Sequence, residues 1–227
     1  MEIHLPIHGT NQTYKVHPQK IIGLGQNYRE SSDTEQNLPV EPILFAKTPN
    51  VLVGPGQCIV IPDFLKDYHF EQNMVVFEAE LAFFIKDRCK NVPESEAYTH
   101  IYGFTCMNDV SQRNLQAMDK AGWFRGKSLD TFGPIGPEIV LREDIGNPQN
   151  LDIFCRLNGK TVQQSNTKNM IFPIPRLIAF ISKHLTLEPG DLVTTGTPAG
   201  PGPLKHGDVV EVEIETIGIL KNPVVSG

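Results

Sequence analysis

Eleven consecutive residues, Val75 to Ile85, carry two charges and no other polar side chain. On a strand, alternate side chains share a face. Phe77, Ala79, Leu81, Phe83 and Ile85 make one wholly apolar face; Val76, Glu78, Glu80, Ala82 and Phe84 make the other. Val76, Ala82 and Phe84 require that second face to be at least half covered. The same spacing recurs in Glu211, Glu213 and Glu215, which alternate with Val210, Val212 and Ile214. There the outward residues are all charged and read as a solvated face. Glu78 and Glu80 stand about 7 Å apart at a ~3.3 Å rise per residue. Two half-covered like charges repel and are poorly solvated, and a divalent cation removes both penalties. A third acid, Asp109, ends the apolar run before a predicted helix. Local pattern leaves it either as that helix's cap or as a third ligand. Carboxylate-only ligation suits Mg²⁺, Mn²⁺ or Ca²⁺ rather than Zn²⁺.

A chain of 227 residues can cover such a strand, since at this size roughly 70% of the extended surface is buried. The 19 glycines and 18 prolines imply many turns. Strands are predicted at Ile21–Leu24, Ile43–Ala46, Gln57–Ile61, Met74–Ile85, Ile101–Met107, Leu192–Thr195 and Val209–Glu215. Asn158-Gly159 marks a type I′ hairpin within Cys155–Val162. Helices are predicted over Ser111–Ala121 and Pro175–His184. The sum is about nine or ten strands and two or three short helices, without strand–helix alternation. That is a mostly β chain with short helices around a closed or folded-over sheet. Residues 1–20 read as an N-terminal extension or entry hairpin.

A net charge of −6 argues against a nucleic-acid partner. The longest apolar run, Leu81 to Ile85, is far short of a membrane helix, and Met1–Pro6 lacks the pattern of a signal peptide. The four cysteines form no C-x-x-C pair and read as buried free thiols. The expectation is a soluble, cytoplasmic protein without nucleic-acid or membrane partners.

Further candidates lie downstream. Arg113 and Gln116 are one helical turn apart and point the same way, toward a carboxylate or toward nothing. Lys127 sits between small residues in Gly126-Lys127-Ser128 and reads either as a solvated lysine or as a site cation. Thr194-Thr195-Gly196-Thr197 follows a strand and can offer backbone N–H and hydroxyl donors to an anion.

Several segments occur together in order: Gly25-Gln26-Asn27-Tyr28, Pro42–Lys47, Glu78-Ala79-Glu80-Leu81, Asn108–Arg113, Gly126-Lys127-Ser128, Leu157-Asn158-Gly159, Met170-Ile171-Phe172, and Pro189-Gly190-Asp191 running into Thr195–Pro198. This set resembles the fumarylacetoacetate hydrolase superfamily, in particular its small single-domain members. The resemblance implies a catalytic domain over 21–227, a mixed β-sandwich roll, a homodimer and one Mg²⁺ or Mn²⁺ per subunit. It carries the metal ligands onto Glu78, Glu80 and Asp109, and the substrate contacts onto Arg113, Gln116, Lys127 and Thr197, with Gly196 in the same loop. The implied substrates are small 2-oxo acids and their enols, with enolate charge stabilised by the metal and Lys127. Family hydrolases place a His, and a Glu three residues later, after the Asn-Tyr pair. Here Ser31 and Thr34 hold those places, leaving Glu30 and Asp33 as the nearby acid–base candidates. The loss of the imidazole favours isomerisation or tautomerisation over C–C hydrolysis or decarboxylation. A weakly catalytic metal-binding homologue is the third reading.

Overall fold

The computed structural model describes residues 2–29, 34, 37–120 and 122–227. In chain order the strands are β1 (Ile3–Pro6), β2 (Thr13–Val16), β3 (Ile21–Gly25), β4 (Ile43–Lys47), β5 (Leu52–Val53), β6 (Ile59–Ile61), β7 (Val75–Val76), β8 (Ala79–Ile85), β9 (Ile101–Asn108), β10 (Ser111–Gln112), β11 (Gly133–Leu141), β12 (Asp152–Leu157), β13 (Lys160–Asn166), β14 (Leu192–Thr194), β15 (Val209–Ile214) and β16 (Gly218–Ser226). The α-helices are α1 (Arg113–Met118), α2 (Phe124–Lys127) and α3 (Ile174–His184).

Two mixed sheets form the body. One has seven strands in the order β4-β3-β14-β8-β9-β11-β5, the other five in the order β13-β12-β15-β16-β6. A large core lies between them, built from Leu81 and Phe83 of β8, Ile153 and Cys155 of β12, and Val210 and Val212 of β15. The opposite face of the seven-stranded sheet carries a second core, where Ala82 and Phe84 meet Leu5 and Val16 of the β1–β2 hairpin. Every residue of β8 is therefore buried. Its near-continuous apolar run is what a strand covered on both faces needs.

The structure departs from the sequence-based elements at several points. Strands are shorter and more numerous than predicted, because β5, β7 and β10 are two-residue ladders with no alternation to detect. The long strand through residue 78 is broken at Phe77–Glu78. There the Phe77 N–H donates to the Gly202 carbonyl, and the Glu78 carbonyl accepts from the Asp109 N–H. The predicted helix from Ser111 begins later: Ser111–Gln112 pair with β7, and Gln112 caps α1 by accepting from the Leu115 N–H. Asp109 is thus not the cap. β11, β16 and α2 were not predicted. β11 and β16 both contain proline, which argues against a strand when only sequence is read.

Local chemistry and observed structure agree elsewhere. Asn158 and Gly159 both take positive φ, 53° and 79°, at the β12–β13 turn. In α3, Leu177, Ile178 and Ile181 are fully buried, each contributing about 1.5–3 kcal/mol of apolar burial. Lys183 and His184 fall in its last turn, where cations suit the helix dipole. Cys58, Cys89, Cys106 and Cys155 are free thiols; the last three are buried as expected, whereas Cys58 is only half-buried. Among the described residues, no helix is long and apolar enough to cross a membrane.

Candidate functional site: a buried carboxylate–lysine cluster

Three segments converge where the β7–β8 break meets the end of β9. Glu78 occupies the break, Glu80 is the second residue of β8, and Asp109 follows β9 directly. One carboxylate oxygen from each lies within 4.8 Å of the other two. All three residues are buried, Glu80 and Asp109 completely. The sequence-predicted triad is thus brought together.

Lys127 closes the cluster. Gly126 makes this possible: a Cβ there would lie 2.7 Å from the Gln116 backbone nitrogen, so only glycine lets α2 press against α1. The Lys127 ammonium donates to Glu78 Oε2 at 2.8 Å and, more closely, to Asp109 Oδ2. It also lies 4.6 Å from the centre of the Phe45 ring. Lys127 is 2% exposed, which removes the solvated-lysine reading. Burial pulls its pKa down, but Asp109, Glu78 and Glu80 outweigh that and hold it above the usual lysine value.

A second lysine was not singled out from sequence. Lys47, at the end of β4, is fully buried and donates to Asp109 Oδ1 at 2.5 Å and to the Val110 carbonyl at 3.2 Å. Burial lowers its pKa, and the neighbouring Lys127 adds to that, while Asp109 works against both. For Asp109, burial acts upward, yet Lys127 and Lys47 prevail and hold its carboxyl below the usual range. Glu80 goes the other way. Burial first, then Asp109 and Glu78, push it well above the usual carboxylate value, against the pull of Lys127.

Glu80 Oε2 accepts the Gly196 N–H at 2.9 Å, whereas the buried Oε1 has no hydrogen-bond partner. The glycine–threonine loop after β14 therefore does meet an anion, and that anion is Glu80. A Cβ on Gly196, whose φ is 88°, would come within 2.8 Å of the Asn27 Cβ. Asn27 stitches this loop in place, donating to the Thr195 and Phe172 carbonyls and accepting from the Phe172 N–H.

The cluster opens onto a cavity of about 200 Å³ bordered by Glu78, Arg113, Gln116, Trp123, Lys127 and Thr197. Arg113 reaches Glu78 Oε1 at 2.6 Å with its side chain still 40% exposed. Gln116 Oε1 is buried without a hydrogen-bond partner. Thr197 accepts from Gln163 Nε2 at 2.9 Å. Arg113, Gln116, Lys127 and Thr197 thus line one pocket; Gly196 lies behind it, against Glu80. Thr34 is exposed, and Glu30, Ser31 and Asp33 lie outside the described residues.

These residues fit a divalent cation. The donor set is all oxygen, Glu80 Oε1 is buried without a hydrogen-bond partner, and burial, with Asp109 and Glu78 beside it, raises the Glu80 carboxyl against the pull of Lys127 and the Thr194 hydroxyl. Formally, Lys47, Lys127 and Arg113 balance three carboxylates, so the cluster tolerates being metal-free while keeping one oxygen unused.

The fold superposes on a 5-carboxymethyl-2-hydroxymuconate delta-isomerase from Mycobacterium smegmatis with a TM-score of 0.83 and 37% identity, over 94% of this chain and 79% of that one. It superposes on a fumarylpyruvate hydrolase from Pseudomonas aeruginosa, solved in complex with Mn²⁺ and pyruvate, with a TM-score of 0.84 and 27% identity, over 100% and 97%. In sequence, a mitochondrial oxaloacetate tautomerase of Xenopus laevis is 47% identical over 219 residues, 92% of this chain and 66% of the relative's length. Residues 20–225 match the family described as fumarylacetoacetate (FAA) hydrolase, C-terminal, and the chain belongs to that family.

Proposed function

We propose that the protein is a divalent-metal-dependent isomerase that tautomerises a small 2-oxo diacid of the oxaloacetate type. The observation that carries this reading is the buried Glu78–Glu80–Asp109 cluster facing a polar cavity of about 200 Å³, room for a short diacid. Glu78, Glu80 and Asp109 would hold Mg²⁺ or Mn²⁺. When bound, that ion supplies Lewis-acid stabilisation of negative charge on the substrate's 2-oxo oxygen.

The remaining roles fall to the chain itself. Arg113 uses part of its donor fork on Glu78 and offers the rest to a substrate carboxylate. Gln116 and Thr197 border the same space and fix orientation. Lys127, buried and protonated, places a positive charge where enolate charge develops. In the reaction the C3–H bond breaks, its electron pair forms the C2–C3 double bond, and the 2-oxo oxygen gains a proton. No co-reactant is consumed. Glu30 or Asp33 is the proposed partner for the C3 proton, since Ser31 stands where the family's hydrolases carry an imidazole. By the same resemblance we infer a homodimer.

The similarity to fumarylpyruvate hydrolase supports a second reading, C–C hydrolysis of acylpyruvates. One assay panel separates the two. The enol absorbance of oxaloacetate should decay faster with enzyme and Mg²⁺ or Mn²⁺, and the acceleration should vanish with chelator. Acylpyruvates should return unchanged apart from their keto–enol ratio. Acylpyruvate cleavage at ordinary turnover, about 1–1000 per second, would replace the tautomerase reading by the hydrolase one.

A further inference from the structure

Gln163 lies on β13, in the five-stranded sheet, whereas β8 and β14 belong to the seven-stranded one. It is 2% exposed, and its side-chain amide spans the gap between the sheets. Gln163 Oε1 accepts the Ala79 N–H at 3.1 Å, between Glu78 and Glu80 in the chain. Gln163 Nε2 donates to the Pro198 carbonyl at 2.7 Å and to Thr197 Oγ1 at 2.9 Å. The loop after β14 is pressed onto β13 here: a Cβ on Gly200, whose φ is 100°, would lie 2.7 Å from the Val162 carbonyl oxygen.

These contacts have a direction. A backbone N–H can only donate and a carbonyl can only accept. Ala79 and Pro198 therefore fix which end of the Gln163 amide is oxygen and which is nitrogen, with no flipped alternative. Nε2 carries two protons, one for Pro198 and one for Thr197. The Thr197 hydroxyl is the acceptor in that pair, and its own proton is left over. Among the described residues, the Gln163 bond is the one hydrogen bond this hydroxyl makes. Thr197 borders the cavity beside the carboxylates.

We propose that Gln163 is a positioning residue that holds the Thr197 hydroxyl as a donor to a substrate carboxylate. With a nitrogen donor behind it, the hydroxyl cannot spend its proton on Gln163, and the bond it accepts polarises it for donation. A carboxylate, which only accepts, fits such a group. The same amide ties the hydroxyl to the backbone between Glu78 and Glu80, so one side chain sets the carboxylate-holding group against the ion-holding strand. The inference rests on the diacid reading under Proposed function and deepens it.

The test reads ligand binding. Protein saturated with Mg²⁺ is titrated by calorimetry with malonate, a short dicarboxylate without a 2-oxo group. Thr197→Val, which removes the hydroxyl, should weaken malonate about tenfold, the loss of one hydrogen bond to a charged group, while Thr197→Ser should stay within about threefold of wild type. Gln163→Met should also cost about tenfold. The double variant is decisive: Gln163→Met added to Thr197→Val should cost less than about threefold more. Losses that multiply to about a hundredfold overturn the proposal, because Gln163 then holds the loop independently of the hydroxyl. If Gln163→Met does not fold, NMR decides. Malonate should shift one of the two Gln163 side-chain N–H resonances in wild type, and the shift should be absent in Thr197→Val; its persistence there overturns the proposal. Wild-type protein that binds Mg²⁺ but no malonate overturns the proposal and the diacid reading together, whereas multiplying losses in a protein that enolises oxaloacetate remove only the proposal.

Discussion

The stretch from the β7–β8 break into β8 and the strand β15 each carry glutamates two residues apart, and the fold treats them in opposite ways. In β15, Val210, Val212 and Ile214 enter the core while Glu211 and Glu213 stay half-buried on the outer face. Glu211 pairs with Lys221 at 2.9 Å and Glu213 with Arg156, on a neighbouring strand in each case. At the β7–β8 break and into β8, Glu78 and Glu80 are enclosed with Asp109, Lys47 and Lys127. Alternation alone does not separate the two strands. What separates them is the company on the glutamate face: charges in β15, Val76, Ala82 and Phe84 around β8. A face that is apolar apart from two acids is closed by the fold, and closing it gathers those acids with Asp109, Lys47 and Lys127 into a buried cluster.

The largest expected contrast is functional. Glu80→Ala should abolish divalent-ion binding and catalysed enolisation while the protein stays folded, as read by calorimetry and circular dichroism. Unchanged metal affinity in that variant would move the site off β8. Next is Lys127→Ala, expected to lower kcat by about 10²–10³-fold with a smaller effect on KM. Burial adds that the metal-free variant should also lose stability, by at most about 3–5 kcal/mol, because Glu78 and Asp109 lose the ammonium they share and keep only Arg113 and Lys47. Added Mg²⁺ should restore much of that stability. A wild-type rate would return Lys127 to a packing role.

A smaller effect should appear in pH. A carboxyl whose native pKa lies above its unfolded one binds more protons folded than unfolded in between. Stability therefore falls as pH rises from about 4.5 through the native value of Glu80. Asp109, held low, acts oppositely, and its contribution is lost as pH falls through its native value below 3.8. The metal-free Tm should thus decline above pH 4.5, and Glu80→Gln should flatten the decline. Equal slopes in both proteins would show that Glu80 does not carry the strain. The smallest effect belongs to β15: Glu213→Ala should cost 0–1 kcal/mol, roughly the worth of an exposed ion pair, and leave activity unchanged. A loss comparable to that of Glu80→Ala would erase the contrast between the strands.

The triad was legible because its signal is local: two acids on one face of an apolar strand, and a third closing another. The β12–β13 turn and α3 were legible for the same reason, each being written in four to eleven adjacent residues. Lys47 was not. A lysine closing the apolar run Pro42–Ala46 looks like a strand end reaching for water, and its burial depends on β4 pairing with β3 so that it reaches Asp109, 62 residues away. Ser111 was missed similarly, read as the start of a helix when it is a strand residue bonded to Glu78. Asn27 and Gln163 each bridge backbones more than 80 residues distant, and no spacing rule reaches that far.

The strand order also governs how the chain is made. β14 lies between β3 and β8, parallel to one and antiparallel to the other. On the ribosome, β8 and β9 can pair early, but the other edge of β8 stays open until Leu192 has emerged. That is about a hundred residues of elongation, roughly 5–20 seconds at ordinary translation rates. For that interval the most apolar strand of the molecule presents an unpaired edge, the feature that most invites chains to stick to one another. The Gly196 N–H that grips Glu80 arrives later still. No nascent chain can complete the carboxylate–lysine cluster before its central sheet is sealed, because Gly196 follows β14 in the chain.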